Sequence, residues 1–109
     1  MESTIESTGK KENIMITEPI PSNAGVLLRA WETDAFGFHL TYALYRRKLS
    51  VRGEHAYSIA VRISSPGYAD SAFACDVTRS RTRAVRLFDA VTRGLVTPCT
   101  LFDVLEDLL

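Results

Sequence analysis

The last fourteen residues of the chain, 96–109, constrain its fold most, because they encode one small amphipathic helix together with its start signal. Thr97 is a residue type that caps the first free amide groups of a helix, and Pro98 follows where its missing N–H costs nothing. The apolar residues at the spacing of one buried helix face are Leu101, Val104, Leu105 and Leu108. A helix this short is stable only when that face packs against another layer of the protein.

The middle of the chain predicts three antiparallel strands. Apolar and polar residues alternate over 38–45 and again over 57–63, and the glycine-bearing turn 50–54 joins these runs as a hairpin. A second turn at 65–70 leads into a third, shorter strand. The apolar residues assigned to this third strand are Phe73, Cys75 and Val77. We expect the apolar side chains of all three strands to share one face of a sheet.

After Thr78 the pattern changes to the period of a helix, and Gly94 stands where a left-handed residue ends such a helix. The inward face of this helix is predicted to hold Ala84, Val85, Leu87, Phe88 and Val91. Two helices on one face of a three-stranded antiparallel meander make a two-layer α+β fold of order βββαα. We expect one small domain at residues 36–109.

Residues 1–35 show no sustained helical or strand period and are rich in Ser, Thr, Glu and Lys, so they are interpreted as a mobile tail. One segment, 26–31, is too short for an isolated helix but apolar enough to dock on the domain or on another copy. Packing on its own domain is the simpler interpretation. The candidate partner-binding residues of this segment are Val26, Leu27, Leu28 and Trp31.

Charge is balanced overall but segregated along the chain. The net charge is zero, which gives no global case for nucleic acid or an anionic membrane. Positive charge at a helix start opposes the helix dipole, and the first helix begins with Arg79, Arg81, Arg83 and Arg86. The final helix carries Asp103, Glu106 and Asp107. Pairing between these two sets is the favoured compensation, and a phosphate-bearing ligand or RNA through the arginines is the alternative.

No combination of residue types and spacing predicts catalysis or a metal site. His39 and His55 have no nucleophile, third ligand or orienting carboxylate at motif spacing. Cys75 and Cys99 are far apart in apolar patterns, which favours free buried thiols. No run approaches the roughly 20 apolar residues that span a bilayer, and the first thirty positions hold no basic segment followed by an apolar run, which is the pattern of a secretory signal. We therefore expect a cytoplasmic protein without catalytic residues, metal or cofactor.

The ending of the chain resembles that of a family of small bacterial proteins, chiefly Gram-positive, known only as a domain of unknown function. The most specific part is the pattern V-T-P-x-x-L-x-D-V-L-E-D-x-L, which residues 96–109 reproduce. The resemblance extends over about 40–109 and implies no activity, substrate or cofactor. Many of these relatives have a histidine at the second position after the proline, where this chain has Thr100, so the resemblance implies no role for that histidine here.

Together these observations predict a small non-catalytic protein-interaction or regulatory module. A folded part of roughly 74 residues supplies only about 3 to 5 kcal/mol from a single core, so a homodimer is expected to add stability. The alternative function is nucleic-acid or phosphate-ligand binding through the arginines of the first helix.

Overall fold

The computed structural model describes residues 23–49 and 52–109, which form one antiparallel sheet followed by two helices. The four strands lie in the order β1-β2-β3-β4, and each pairs with the next one along the chain. The strands are β1 Val26–Ala35, β2 Phe38–Lys48, β3 His55–Ser65 and β4 Tyr68–Thr78; the helices are α1 Arg81–Arg93 and α2 Leu101–Leu108, and a 3₁₀ turn, Pro98–Thr100, precedes α2. Within the described ranges no helix has the length and apolar content needed to cross a membrane.

The core lies between one face of the sheet and the two helices, as the alternating and helical patterns predict. On β2 and β3 the large side chains that face the helices come from alternate residues, because successive side chains of a strand point to opposite faces, and small residues such as Ala56, Ser58 and Ala60 are buried on the other face. The strand residues of the core are Leu40, Tyr42, Leu44, Tyr57, Ile59, Val61 and Ala74, and the helix residues are Ala84, Leu87, Phe88, Val91, Leu101 and Leu105. The α+β class and the two C-terminal helices are therefore confirmed.

The prediction of three strands is wrong, because the sheet has a fourth. Strand β1 lies within the predicted tail and pairs antiparallel with β2, with Trp31 opposite Tyr42. The turn between them, Phe36-Gly37, has positive φ at both residues, 58° and 81°. This geometry suits the twist of a hairpin, but the usual sequence signature is Asn-Gly rather than Phe-Gly. The part of the predicted tail at 1–22 lies outside the described residues.

A bulge in β1 interrupts the alternation of apolar and polar residues from which a strand is predicted. The register with β2 shifts between Leu27 and Arg29, so Leu28 is an extra residue that breaks the two-residue period. Gly25, just before the strand, has φ of 106° and lies directly against the backbone of Arg46. A side chain at that position would collide with the Arg46 carbonyl group, so only glycine fits this entry to the sheet.

The core face of β4 also differs from the prediction. Ala72 and Ala74 pair with core residues of β3, whereas Phe73 lies on the opposite face, with its ring centroid 6.2 Å from that of Tyr45. The helix-side residues of β4 are small where the 3₁₀ turn before α2 packs against this strand. The assignment of Phe73 and Cys75 to the core face is therefore wrong, while Val77 does pack against the core.

A second bulge, in β4, is held by polar contacts. Asp76 has φ of 51°, and its backbone N–H donates to the hydroxyl of buried Ser58 at 2.9 Å. The Arg47 guanidinium donates to both Asp76 carboxylate oxygens, at 3.0 and 2.6 Å. These hydrogen bonds lower the pKa of Asp76 and raise that of Arg47. The pair thus fixes the unpaired residue of the bulge to β2.

The ends of the helices follow their sequence signals only in part, since Pro98 begins a 3₁₀ turn and α2 itself begins at Leu101. The Ser80 hydroxyl caps α1 by accepting from the Arg83 N–H at 3.2 Å. Before α2, the Thr97 N–H donates to the Thr100 hydroxyl at 3.3 Å. Gly94 has φ of −81°, and the left-handed residue after α1 is Leu95, with φ of 51°. The prediction of a left-handed Gly94 is wrong by one residue, because the chain turns one position later.

Candidate interaction site

The predicted partner-binding residues all lie on β1, which is one edge of the sheet. Its main contacts are with β2, whereas α1 packs against β2, β3 and β4. Val26 and Leu27 are more than half exposed, and Trp31 is 44 % exposed, while Leu28 packs partly against the core. The structure therefore brings these four residues onto one exposed edge, rather than onto a separate tail.

A groove separates β1 from α1 on the helix side of the sheet. Trp31 forms one wall, with its ring centroid 5.8 Å from that of buried Tyr42. Phe88 and Thr92 of α1 lie across from it, and Arg29 lines the same groove. Since Trp31 rests on the core through Tyr42, the exposed part of its ring is held in a defined orientation beside the outer edge of β1.

On the opposite face of the sheet, His39 ties the second half of β1 to β2. Its Nδ1 lies 2.8 Å from Asp34 Oδ1, and its Nε2 lies 2.6 Å from Glu32 Oε1. These two hydrogen bonds raise the pKa of His39, which favours the imidazolium form. The sequence reading missed this cluster because the hairpin that brings Glu32 and Asp34 beside His39 was not recognised.

The cluster does not amount to a catalytic or metal centre. Both ring nitrogens of His39 are engaged by carboxylates, so neither is directed at a substrate. In the part of the chain that the structure describes, no group of three His, Cys, Asp or Glu residues is placed to hold a metal ion. What the arrangement does is hold β1 against the sheet from the face away from the helices.

The two cysteines are free, as predicted, but both are exposed rather than buried. Cys75 lies beside the β4 bulge, and Cys99 lies in the 3₁₀ turn before α2. The prediction of buried thiols is wrong because the first position faces away from the helices and the second lies in a turn at the surface.

The predicted arginine cluster lies on the exposed side of α1 and just before it. Arg79 approaches Glu54 at 3.4 Å. Within residues 23–49 and 52–109, the other three members have no carboxylate within ion-pair distance. These three are Arg81, Arg83 and Arg86. Arg83 and Arg86 line a second groove, which the end of α2 closes with Leu108.

The acidic residues of α2 are exposed and do not pair with these arginines. Asp103, Glu106 and Asp107 lie on the outward side of their helix, while Leu101 and Leu105 face the core. Across the described part of the chain, none of the three carboxylates forms an ion pair with an arginine of α1. Within the described residues the expected pairing between α1 and α2 is therefore not made as a direct contact, because each charged set faces away from the core on its own helix.

Comparison with known proteins adds a family but no activity. Neither a curated protein nor a solved structure matches the chain. A family model does match from within β1 to Leu109, just after α2, and it includes Trp31, the second half of β1 and both helices. On this match, which spans residues 29–109, the chain belongs to the family of unknown function DUF6514.

Proposed function

We propose that this protein is a non-catalytic interaction module that binds an extended segment of a partner protein along the edge of β1. The observation that carries the proposal is the combination, on one strand, of a sheet edge that no other strand of the described residues covers with exposed apolar side chains. A partner strand added there would extend the sheet from four strands to five.

The backbone of β1 supplies the first part of the support. An edge strand has a row of N–H and C=O groups directed away from the sheet, and an extended peptide can pair with them. Strand β1 is ten residues long, which is enough to bind a peptide over several residues. Main-chain pairing of this kind gives affinity with little demand on the partner's sequence.

The side chains of β1 supply the second part. Val26 and Leu27 expose apolar surface at one end of the edge, and Trp31 does so at its centre. Tryptophan is among the residues that contribute most to binding energy at protein interfaces. The groove between Trp31 and α1 offers a place for one side chain of the bound segment. Selectivity would come from that groove.

The location that fits this module is the cytoplasm of a bacterium. The support is the resemblance of residues 96–109 to bacterial proteins and the presence of two free, exposed cysteines. Thiols of this kind persist in reducing compartments and tend to pair or oxidise elsewhere.

A peptide selected from a random displayed library on the full-length chain provides the test. Because Trp31 is the single tryptophan, its fluorescence reports binding at β1. We expect the selected peptide to change this fluorescence, and the same peptide with alternate backbone nitrogens methylated to lose binding, since strand pairing needs those N–H groups. Leu27→Lys should weaken binding, whereas Phe102→Ala, at an equally exposed apolar position on α2, should not. Equal binding of the methylated peptide would contradict the proposal.

The second candidate function is binding of a nucleic acid or a phosphate-bearing ligand by the arginines at the start of α1. Its specific support is that three of them have no carboxylate partner in the described part of the chain. Its weakness is that the acidic α2 lies next to them, and the end of α2 helps line the same groove. Phosphate contacts weaken steeply with salt, so titrations across salt concentrations separate this function from apolar strand pairing.

A further inference from the structure

We infer that the outer face of α1 and α2 is a self-complementary surface on which a second copy of this chain docks about a two-fold axis. The inference is independent of the β1 edge, because the outward sides of these helices face away from the sheet. In the dimer, the basic α1 of each copy would lie against the acidic α2 of the other.

The charges of the two helices carry this inference. The exposed side of α1 holds Arg83 and Arg86, with Arg79 and Arg81 at its start, and α2 holds three exposed carboxylates. Neither set is neutralised by the other in the described part of the chain. A two-fold axis between two copies places α1 of each copy against α2 of the other. Each basic helix then meets an acidic one, and the same contact is made twice.

The positions of the charges along the helices point the same way. The first turn of α1 has no acidic residue, and the last turn of α2 has no basic residue. Arg81 and Arg83 at the start of α1, and Glu106 and Asp107 at the end of α2, therefore oppose the dipoles of their helices at a cost in stability, whereas Arg93 at the end of α1 and Asp103 at the start of α2 are favourably placed. An opposite charge brought to these helix ends by a second copy would offset that cost.

Apolar side chains lie between the charged ones. Three large apolar side chains in or directly after α2 are each roughly half exposed: Phe102, Leu108 and Leu109. Leu108 lies beside Arg83 and Arg86 in the groove between the helices. Interfaces combine a buried apolar centre with a polar rim, and this surface has both parts.

A second copy fits this face better than a nucleic acid does. A polyphosphate chain bound to the arginines would lie beside Asp103, Glu106 and Asp107, which repel it. Two copies of a chain with zero net charge have no overall repulsion to overcome. Charge complementarity then sets both the partner and its orientation.

Two charge-reversed variants of the full chain test the inference. One is Arg83→Glu with Arg86→Glu, and the other is Glu106→Lys with Asp107→Lys. Each removes charges that oppose a helix dipole, so neither is expected to lose its fold, and circular dichroism checks this. By light scattering and sedimentation, the unaltered chain should be a dimer at about 0.1 M salt and should dissociate towards about 1 M, where screening is strong.

Each variant alone should be monomeric, with a dissociation constant raised more than about tenfold by like charges in contact. An equimolar mixture of the two should form a heterodimer, because both contacts again join opposite charges. Lys48→Glu with Arg52→Glu makes the same change of charge away from the helices and should leave the dimer intact. The inference is overturned if the unaltered chain stays monomeric at low salt, or if the mixture does. Salt-sensitive binding of a single-stranded RNA probe that Arg83→Glu with Arg86→Glu abolishes, without any dimer, would assign the face to nucleic acid instead.

Discussion

The hydroxyl of Tyr42 donates a hydrogen bond to the backbone carbonyl of Val96 at 3.0 Å. This contact joins the centre of the sheet to the short link between α1 and α2, at a point where the chain has just passed through a left-handed residue, Leu95. Burial raises the pKa of Tyr42, so the hydroxyl keeps its proton and remains a donor over the ordinary pH range.

Tyr42→Phe should therefore lower the free energy of unfolding by about 1 to 3 kcal/mol, because it leaves the buried carbonyl of Val96 without a donor. Urea denaturation measures the change. Tyr68→Phe, at a tyrosine that is half exposed, should have almost no effect and serves as the control. Equal stability of Tyr42→Phe and the unaltered protein would show that the link is held by packing alone.

The hairpin between β1 and β2 has an unfavourable residue at its tip. Phe36 has φ of 58°, a left-handed backbone that is unfavourable for this residue type, and 78 % of the residue is exposed. Burial of its ring therefore does little to offset the backbone strain. Asparagine tolerates this conformation, and Asn-Gly is the preferred pair for such a turn. Phe36→Asn should stabilise the protein by about 1 kcal/mol. A loss of stability on thermal denaturation would mean that the Phe36 ring contributes to packing after all.

Acid should weaken the β4 bulge. The pKa of Asp76 lies below its ordinary value of 3.8 because the Arg47 guanidinium hydrogen-bonds to the carboxylate. A carboxyl group with a lowered pKa in the folded state contributes stability above its unfolded pKa and loses it as the pH falls through the folded pKa. The contribution is modest, since about a third of each side chain is exposed.

Asp76→Asn should lower the urea midpoint at neutral pH and should reduce its dependence on pH below about 4, since asparagine does not titrate but still tolerates the left-handed backbone. A midpoint that falls as steeply with acid in Asp76→Asn as in the unaltered protein would assign acid sensitivity to other carboxylates.

His39 should make the attachment of β1 depend on pH in the opposite sense. Its pKa is raised above 6.5 by hydrogen bonds to Asp34 and Glu32. A histidine with a raised pKa contributes stability below its unfolded pKa and loses it as the pH rises through the folded pKa. Unfolding midpoints should thus fall as the pH rises above about 6.5. His39→Gln should abolish this fall, and an NMR titration of His39 should show the raised pKa directly; a value at or below 6.5 would refute the ion-paired arrangement.

The sequence predicts the two-layer fold where periodicity is regular. Large apolar residues alternate with small or polar ones along β2 and β3 because one face of each strand is covered by helices, and α1 and α2 show buried stripes for the same reason, although Leu108 of the predicted stripe is 47 % exposed. Periodicity does not predict β1, because this strand is an exposed edge with a bulge at Leu28 and burial imposes no alternation on its residues. The sequence pattern does not predict which face of β4 packs against the core. Small alanines lie beneath the 3₁₀ turn on the core face, and the larger Phe73 lies on the opposite face.

The candidate site is predicted in part. Apolar content alone selects residues 26–31, but their position on a strand edge, and the groove beside Trp31, depend on the hairpin at Phe36-Gly37. The same hairpin creates the contacts of His39. For the arginines, the sequence predicts a cluster but does not show that three of its four members have no carboxylate partner among the described residues, since helix periodicity alone does not give the distance between α1 and α2.

The most direct measurement of strand pairing at β1 is amide hydrogen exchange of the full chain with and without the library-selected peptide. If an extended segment pairs with β1, alternate amides of β1 should exchange slowly only in the complex, while those of the other edge strand, β4, should not change. Protection confined to β4 or to the helices, or none on β1 while the peptide is bound, would contradict the assignment of β1 as the binding edge.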